Sequence, residues 1–351
     1  RKPCIDMTFS TYPWRCERSS RGPRAVSGTP DGPAHPRRRF LTPVAGLLTR
    51  SLYGARGNAR NAAMQATQGP ESSGKGEKFG PYDTLARLED SELGVAFLAR
   101  DRRSGSRVVL KTLHLGGQFD NRATEELRRR FRREAEACAA LHHEAILQVL
   151  DNGEDNDRCW VAYEYFDAEP LTRHVLDYDL LPVPEVLGLG ATVAEALDHA
   201  HCRSVVHRDL RPANLLYSSQ RRAIKIRDFG FAKVAETELS RTGLVLGTPS
   251  YKSPEQLAVG KITAASDVFS LGVTLYQLLT GRLPFEAESM VGLMHSIVQL
   301  PHVAASTARP ALPAALDAVL DRALAKYPLD RYARASHFAG ALRQCAGERA
   351  A

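Results

Sequence analysis

The run His207-Arg208-Asp209-Leu210-Arg211-Pro212-Ala213-Asn214 is followed, fourteen residues beyond Asn214, by Asp228-Phe229-Gly230. Asp209 offers a carboxylate able to accept a proton from a hydroxyl. Asn214, five residues on, offers an amide oxygen suited to a hard cation, and Asp228 a second carboxylate for the same ion. Phosphoryl transfer asks for such a set: cations over phosphate oxygens, carboxylates to hold those cations, and a base beside the attacking hydroxyl. A lone Asp more often caps a turn. Two acids and a spaced amide in this order point instead to phosphoryl transfer with magnesium.

These residues need rigid elements behind them. Asp209 follows the β-prone Ser204-Val205-Val206-His207, and Asp228 follows Ala223-Ile224-Lys225-Ile226-Arg227, so each acid is expected at the end of a strand. Gly230 permits backbone angles that other residues resist. Upstream, β-prone runs at 82–89, 94–101, 106–113, 146–151 and 159–165 enclose a helix at 122–141. On that helix Leu127, Phe131, Cys138 and Leu141 form an apolar stripe, and Glu134 lies inside it. A carboxylate on a buried stripe wants a cation, because an unpaired buried charge costs several kcal/mol. After Glu169 helical periodicity dominates, at 184–203, 265–280, 287–299, 313–325 and 335–346, around a loop-rich stretch at 205–256. The expected fold class is α+β: a five-stranded lobe with one helix over residues 80–166, then a larger, mostly helical lobe over 167–346.

Composition bounds the rest. Of 351 residues, 43% are hydrophobic, enough for a globular core. Residues 1–75 hold thirteen Lys/Arg against four Asp/Glu, a balance of +9 within a total of +7, which leaves −2 for the remainder. A basic, Pro/Gly/Ser-rich, solvated tail therefore precedes a nearly neutral body. This argues against a globally nucleic-acid-binding domain. A sharper reading of the tail sets Arg37, Arg38, Arg39, Arg50, Arg56 and Arg60 around the apolar 41–48 as a transit segment or an anionic-surface contact, although Pro43 and Gly46 spoil an amphipathic helix there. Six scattered cysteines without zinc spacing fit reduced thiols in a cytoplasmic protein. The longest apolar segment, 271–279, carries Thr274 and Gln277 and falls short of a membrane span.

Over residues 80–346 the sequence resembles the eukaryotic-type (Hanks-type) serine/threonine protein kinases. The resemblance implies a two-lobe fold with ATP and Mg2+ between the lobes, and protein substrates. It implies that Lys111 in Val108-Val109-Leu110-Lys111 binds phosphate and pairs with Glu134, that Val109 touches the adenine, and that Tyr163 gates the back of its pocket. Glu164, Tyr165 and Phe166 become a hinge whose backbone hydrogen-bonds the base. Asp209 becomes the catalytic base with Arg211 and Thr248 beside it, and Asn214 and Asp228 the metal ligands. Glu255 pairs with Arg331 and Asp267 braces the catalytic loop, both structurally, while His207 is a packed core histidine. Ser240 and Thr242 occupy positions where bacterial relatives autophosphorylate, and Arg208 is placed to receive such a phosphate. Ala-Leu-Asp-His-Ala-His at 196–201 and Gln256 look bacterial. Many bacterial members continue into a membrane span, whereas this chain stops soon after the last expected helix, as a soluble protein or a fragment would.

The departure from the pattern is the nucleotide-covering loop, which keeps Gly94 as its third glycine but reads Asp90-Ser91-Glu92-Leu93 before it. Negative charge there repels a triphosphate, by about 1 kcal/mol per unit pair at 4 Å in water. Weak ATP affinity is expected, and the competing reading is a pseudokinase scaffold. Arg211, where the family has Lys, keeps a positive charge in a wider, planar fork.

Overall fold

The computed structural model describes residues 76–91, 94–114, 121–155, 158–176, 178–229 and 249–347. The basic N-terminal segment, Thr248, Ser240 and Thr242 lie outside them. Six strands form the first sheet: β1 (Lys78–Phe79), β2 (Tyr82–Ser91), β3 (Gly94–Asp101), β4 (Arg107–His114), β5 (Val149–Asp155) and β6 (Arg158–Glu164). They pair antiparallel in the order β1-β2-β3-β4-β6-β5. The count exceeds the expected five by β1, a two-residue strand turned onto β2 through Gly80 at φ 50°. Two residues cannot display an alternating pattern, so the sequence carried no sign of it.

The strand expected at 146–151 begins at Val149 instead. Ile146 and Leu147 are drawn to the second part of the molecule: Leu147 N–H donates to Ile226 O at 2.9 Å and Ile226 N–H to Ala145 O at 2.8 Å. The strand then runs on through Asn152, opposite Val161, and Gly153, which sits against Trp160 on the neighbouring strand.

Alternation along β4 shows how the sheet is divided. Val108, Leu110 and Thr112 are buried on one face, where Val108 and Leu110 join Phe79, Tyr82, Phe97, Ala99, Trp160 and Ala162 in a small cluster. Val109, Lys111 and Leu113 lie on the other, half-buried face, and Val109 and Leu113 pack against the main core. That face is shared with α1 (Asn121–Ala139), which buries Phe131, Ala135 and Cys138 at the expected helical spacing, with Leu141 just beyond its end. Glu134 is half-buried on this stripe. The side chain of Leu127 lies outside those described.

The second part carries a three-stranded sheet, β7 (Glu169–Pro170), β8 (Leu215–Ser218) and β9 (Ala223–Ile226), among helices α2 (Val183–His201), α3 (Pro254–Leu257), α4 (Ala264–Thr280), α5 (Met290–Gln299), α6 (Ala305–Ala308), α7 (Ala315–Ala323) and α8 (Ala335–Cys345). Every residue from Ser266 to Thr280 is buried, so α4 is the central post of this part. A capping box between Thr263 and Ser266 starts it. The α+β, two-lobe arrangement expected from the sequence is the one observed.

Two local expectations change. Residues 204–207 are not a strand, because the groups that receive their backbone are a helix end and a side chain: Val205 N–H donates to Ala200 O and His207 N–H to the Asp267 carboxylate. Arg227 falls outside β9, which ends at Ile226. Among the described residues no helix is long and apolar enough to cross a membrane.

Candidate active site

Asp209 lies in the loop between α2 and β8, and that loop is held from below by a buried acid. Asp267 on α4 is fully buried; it accepts from His207 N–H and Arg208 N–H at 2.8 Å each and contacts His201 Nε2 at 2.7 Å. Burial opposes its charge, but the His201 contact and these backbone donors outweigh that and hold its carboxyl below the usual range. The two backbone bonds keep Arg208 at φ 71°, a left-handed angle that a non-glycine side chain resists. His207 behaves as the core histidine the sequence suggests. Its ring stands edge-on to Phe229 at 4.7 Å, Nδ1 accepts from Asp209 N–H at 3.2 Å, and Nε2 is then the donor to Arg227 O at 2.9 Å.

The Asp209 carboxylate is braced on several sides. Asn214 Nδ2 donates to Oδ2 at 3.1 Å and to the Asp209 carbonyl at 2.7 Å. Arg211 Nε lies 3.3 Å from Oδ2, and Lys252 Nζ lies 3.5 Å from Oδ1. Because Asn214 spends its NH2 on Asp209, its amide oxygen is the end left to face a cation. Its backbone carbonyl accepts from Arg227 N–H at 3.0 Å, which ties the loop to the segment carrying Asp228.

Asp228 sits at φ 67°, between β9 and Phe229. Lys111 Nζ lies 3.0 Å from its Oδ2 and Arg227 Nε 3.7 Å away. Burial pushes its pKa up, but Lys111 and then Arg227 pull harder, so the carboxyl titrates at about 2 and is ionised at neutral pH. The sequence pointed to Glu134 as the partner of Lys111, and the structure places the ammonium beside Asp228. Asp228 is the acid facing β4 across the cleft, with a side chain only 18% exposed, and a carboxylate there needs the nearest cation. Glu134 makes other interactions, and its helix is tied to the same segment through Cys138, whose thiol donates to Phe229 O at 3.1 Å.

An ionised carboxylate and an amide oxygen are hard donors of the kind magnesium takes in ones and twos, completing its shell with water and phosphate. Asp228 and Asn214 fit that ion. Above them, Val109 and Lys111 share the half-buried face of β4, and Tyr163 is buried opposite Val109. Burial, then the nearby charge of Asp228, pushes the Tyr163 hydroxyl well above its ordinary pKa, so it stays protonated.

In the expected hinge, Glu164 N–H is already given to Gln148 O at 3.0 Å, so a base docking there would use other backbone groups of residues 164–166. The Glu164 carboxylate accepts from Gln148 N–H at 2.9 Å and from Lys225 Nζ at 2.7 Å, bracing the segment against β9. Phe166 is buried with Lys225 Nζ 5.6 Å from its ring centroid, and the Arg107 guanidinium is 5.9 Å from that of Tyr165. Gly94 opens β3, where an added Cβ would lie 1.7 Å from Thr112 O, so close strand approach alone requires glycine.

Glu255 and Arg331 meet as the resemblance implied, in a bidentate pair at 2.8 and 2.9 Å with Arg331 buried. The sequence reading missed Lys252, His201 and Arg227. The signal for Lys252 and Arg227 was closeness in sequence to Glu255 and Asp228-Phe229-Gly230; His201 offered none, since its partner is 66 residues away.

Residues 82–339 match the family model described as protein kinase domain. The chain is 37% identical over 274 residues to serine/threonine-protein kinase PksC of Streptomyces coelicolor, covering 74% of this chain and 48% of that protein. It is 35% identical over 278 residues to Pkn1 of Myxococcus xanthus, covering 78% and 39%, and 36% identical over 276 residues to PknF of Mycobacterium tuberculosis, covering 76% and 57%. The chain thus spans about half the length of these curated relatives.

Proposed function

This chain belongs to the protein kinase family, and from that premise we propose that it transfers the γ-phosphoryl group of ATP to serine or threonine hydroxyls of protein substrates. The observation that carries the reading is the Asp209 carboxylate braced by Asn214 Nδ2 at 3.1 Å, in a loop joined by backbone to an Asp228 that is ionised and 3.0 Å from Lys111. Asp209 orients the substrate hydroxyl and accepts its proton. Arg211 and Lys252 hold that carboxylate in place and supply positive charge where the transferred group gathers negative charge. Asn214 and Asp228 would hold magnesium, which would supply charge neutralisation at the phosphates. With Asp228 engaged in holding magnesium, Lys111 would serve phosphate oxygens.

Thr248 completes the set as a hydrogen-bonding partner of Asp209, and phosphorylation of Ser240 or Thr242 regulates the enzyme through Arg208. We place the protein in the cytoplasm, with protein substrates as its partners and no specific nucleic acid. The test uses the full chain with labelled ATP, magnesium and a generic basic protein. Incorporation of label that is lost in Asp209→Asn is the expected result; equal incorporation in that variant refutes the assignment. The acids of the covering loop, Asp90 and Glu92, favour a second reading as a pseudokinase. Absence of both label transfer and magnesium-dependent ATP uptake would select it.

A further inference from the structure

Arg227 is a charged group of the cleft to which the proposed chemistry gives no task. It leaves the end of β9 immediately before Asp228, its backbone fixed by the bond from its N–H to Asn214 O at 3.0 Å. Its side chain, 23% exposed, reaches across to β2, where a terminal guanidinium nitrogen lies 3.0 Å from Glu89 Oε2. Its Nε, 3.7 Å from Asp228 Oδ2, is buried without a hydrogen bond. One planar cation therefore spans from the strand that leads into Asp90-Ser91-Glu92 to the carboxylate assigned to the metal.

Glu89 directly precedes that acidic run of sequence and is 54% exposed by its side chain, so without Arg227 its charge would be left unbalanced. A nucleoside triphosphate carries several negative charges, and like charges at such range repel. A lysine would serve less well, because a point charge cannot serve two separated acids as a planar fork can.

We infer that Arg227 determines nucleotide acceptance: by neutralising Glu89 it allows a magnesium nucleoside triphosphate to bind despite the acids that the sequence carries from Glu89 to Glu92. This rests on the kinase reading above. Arg227 acts through Glu89 and is a positioning residue.

The test measures binding of Mg·ATP and of adenosine to the full chain by calorimetry, for wild type, Arg227→Gln, Glu89→Gln and the double variant. Arg227→Gln is expected to weaken Mg·ATP about fivefold, the factor that one like-charge pair at roughly 4 Å represents in water. In turnover its KM for ATP rises more than its kcat falls. The double variant recovers wild-type Mg·ATP affinity, and adenosine, which has no phosphates, binds all four alike. Should Arg227→Gln fail to fold, Glu89→Gln alone decides: it is expected to bind Mg·ATP more tightly, since the guanidinium is then uncompensated. Unchanged or tighter Mg·ATP binding by Arg227→Gln, or unchanged or weaker binding by Glu89→Gln, overturns the inference and leaves the pair a latch or a bystander. If the wild type takes up no Mg·ATP at millimolar concentration, the kinase reading fails and this inference with it.

Discussion

Replacing Arg331 by Met removes the guanidinium that joins the chain after α7 to α3. Arg331 is 2% exposed and donates to both oxygens of Glu255 and to the carbonyls of Ala265, Ala325 and Lys326. Met fills much of the volume but offers no donor. Glu255, its side chain 10% exposed, would keep Ser266 as a hydroxyl donor and lose its counter-charge. Breaking a buried pair from one side costs about 3–5 kcal/mol, chiefly because the remaining charge is stranded. In a domain of this size that lowers Tm by about 10 °C. The measurement is urea or thermal denaturation of wild type, Arg331→Met, Glu255→Gln and the double variant. The double variant should lose less than the sum of the single losses, because it strands no charge. A loss below about 1 kcal/mol for Arg331→Met, or strict additivity, would refute the claim that the pair holds these elements together.

Two further outcomes follow from the site itself. Asp228 has a folded-state pKa of about 2 against an ordinary value of 3.8. The lowered value means its ionised form adds stability above pH 4 that disappears as pH falls toward 2, a contribution of about 2 kcal/mol. Lys111→Met removes the largest attraction behind that shift, so its acid-denaturation midpoint should move to higher pH and phosphate transfer should cease; an unmoved midpoint would deny the 3.0 Å pair. Gly94→Ala sets a Cβ 1.7 Å from Thr112 O and should force β3 off β4 at a loss of about 1–3 kcal/mol, read by denaturation. A neutral result there would mean that the strand ends yield freely.

Much of the site was legible because its parts are close in the chain. Asp209 and Asn214 are five residues apart, and one short loop brings the amide to the carboxylate whatever the rest of the molecule does. The apolar stripe of Phe131 and Cys138 likewise needed only helical periodicity, as did the buried central helix. Strand limits were less legible where another part of the chain competes for backbone groups. Ile146 and Leu147 look like strand residues by side chain, yet their partner is Ile226, so β5 starts later.

The types and local spacing of residues determined on their own that this chain sets a carboxylate and an amide close together in one loop, and that a β-rich part is followed by a helical one. Short-range order is encoded by neighbours, and these features need no more. Which cation neutralises which acid was settled by the tertiary structure. Lys111 finds Asp228 and Arg227 finds Glu89, each more than a hundred residues away. Such choices turn on burial and on distances of a few ångströms between separate elements, where the dielectric is low enough for one contact to outweigh another. Chain order carries no record of those distances until the lobes have packed.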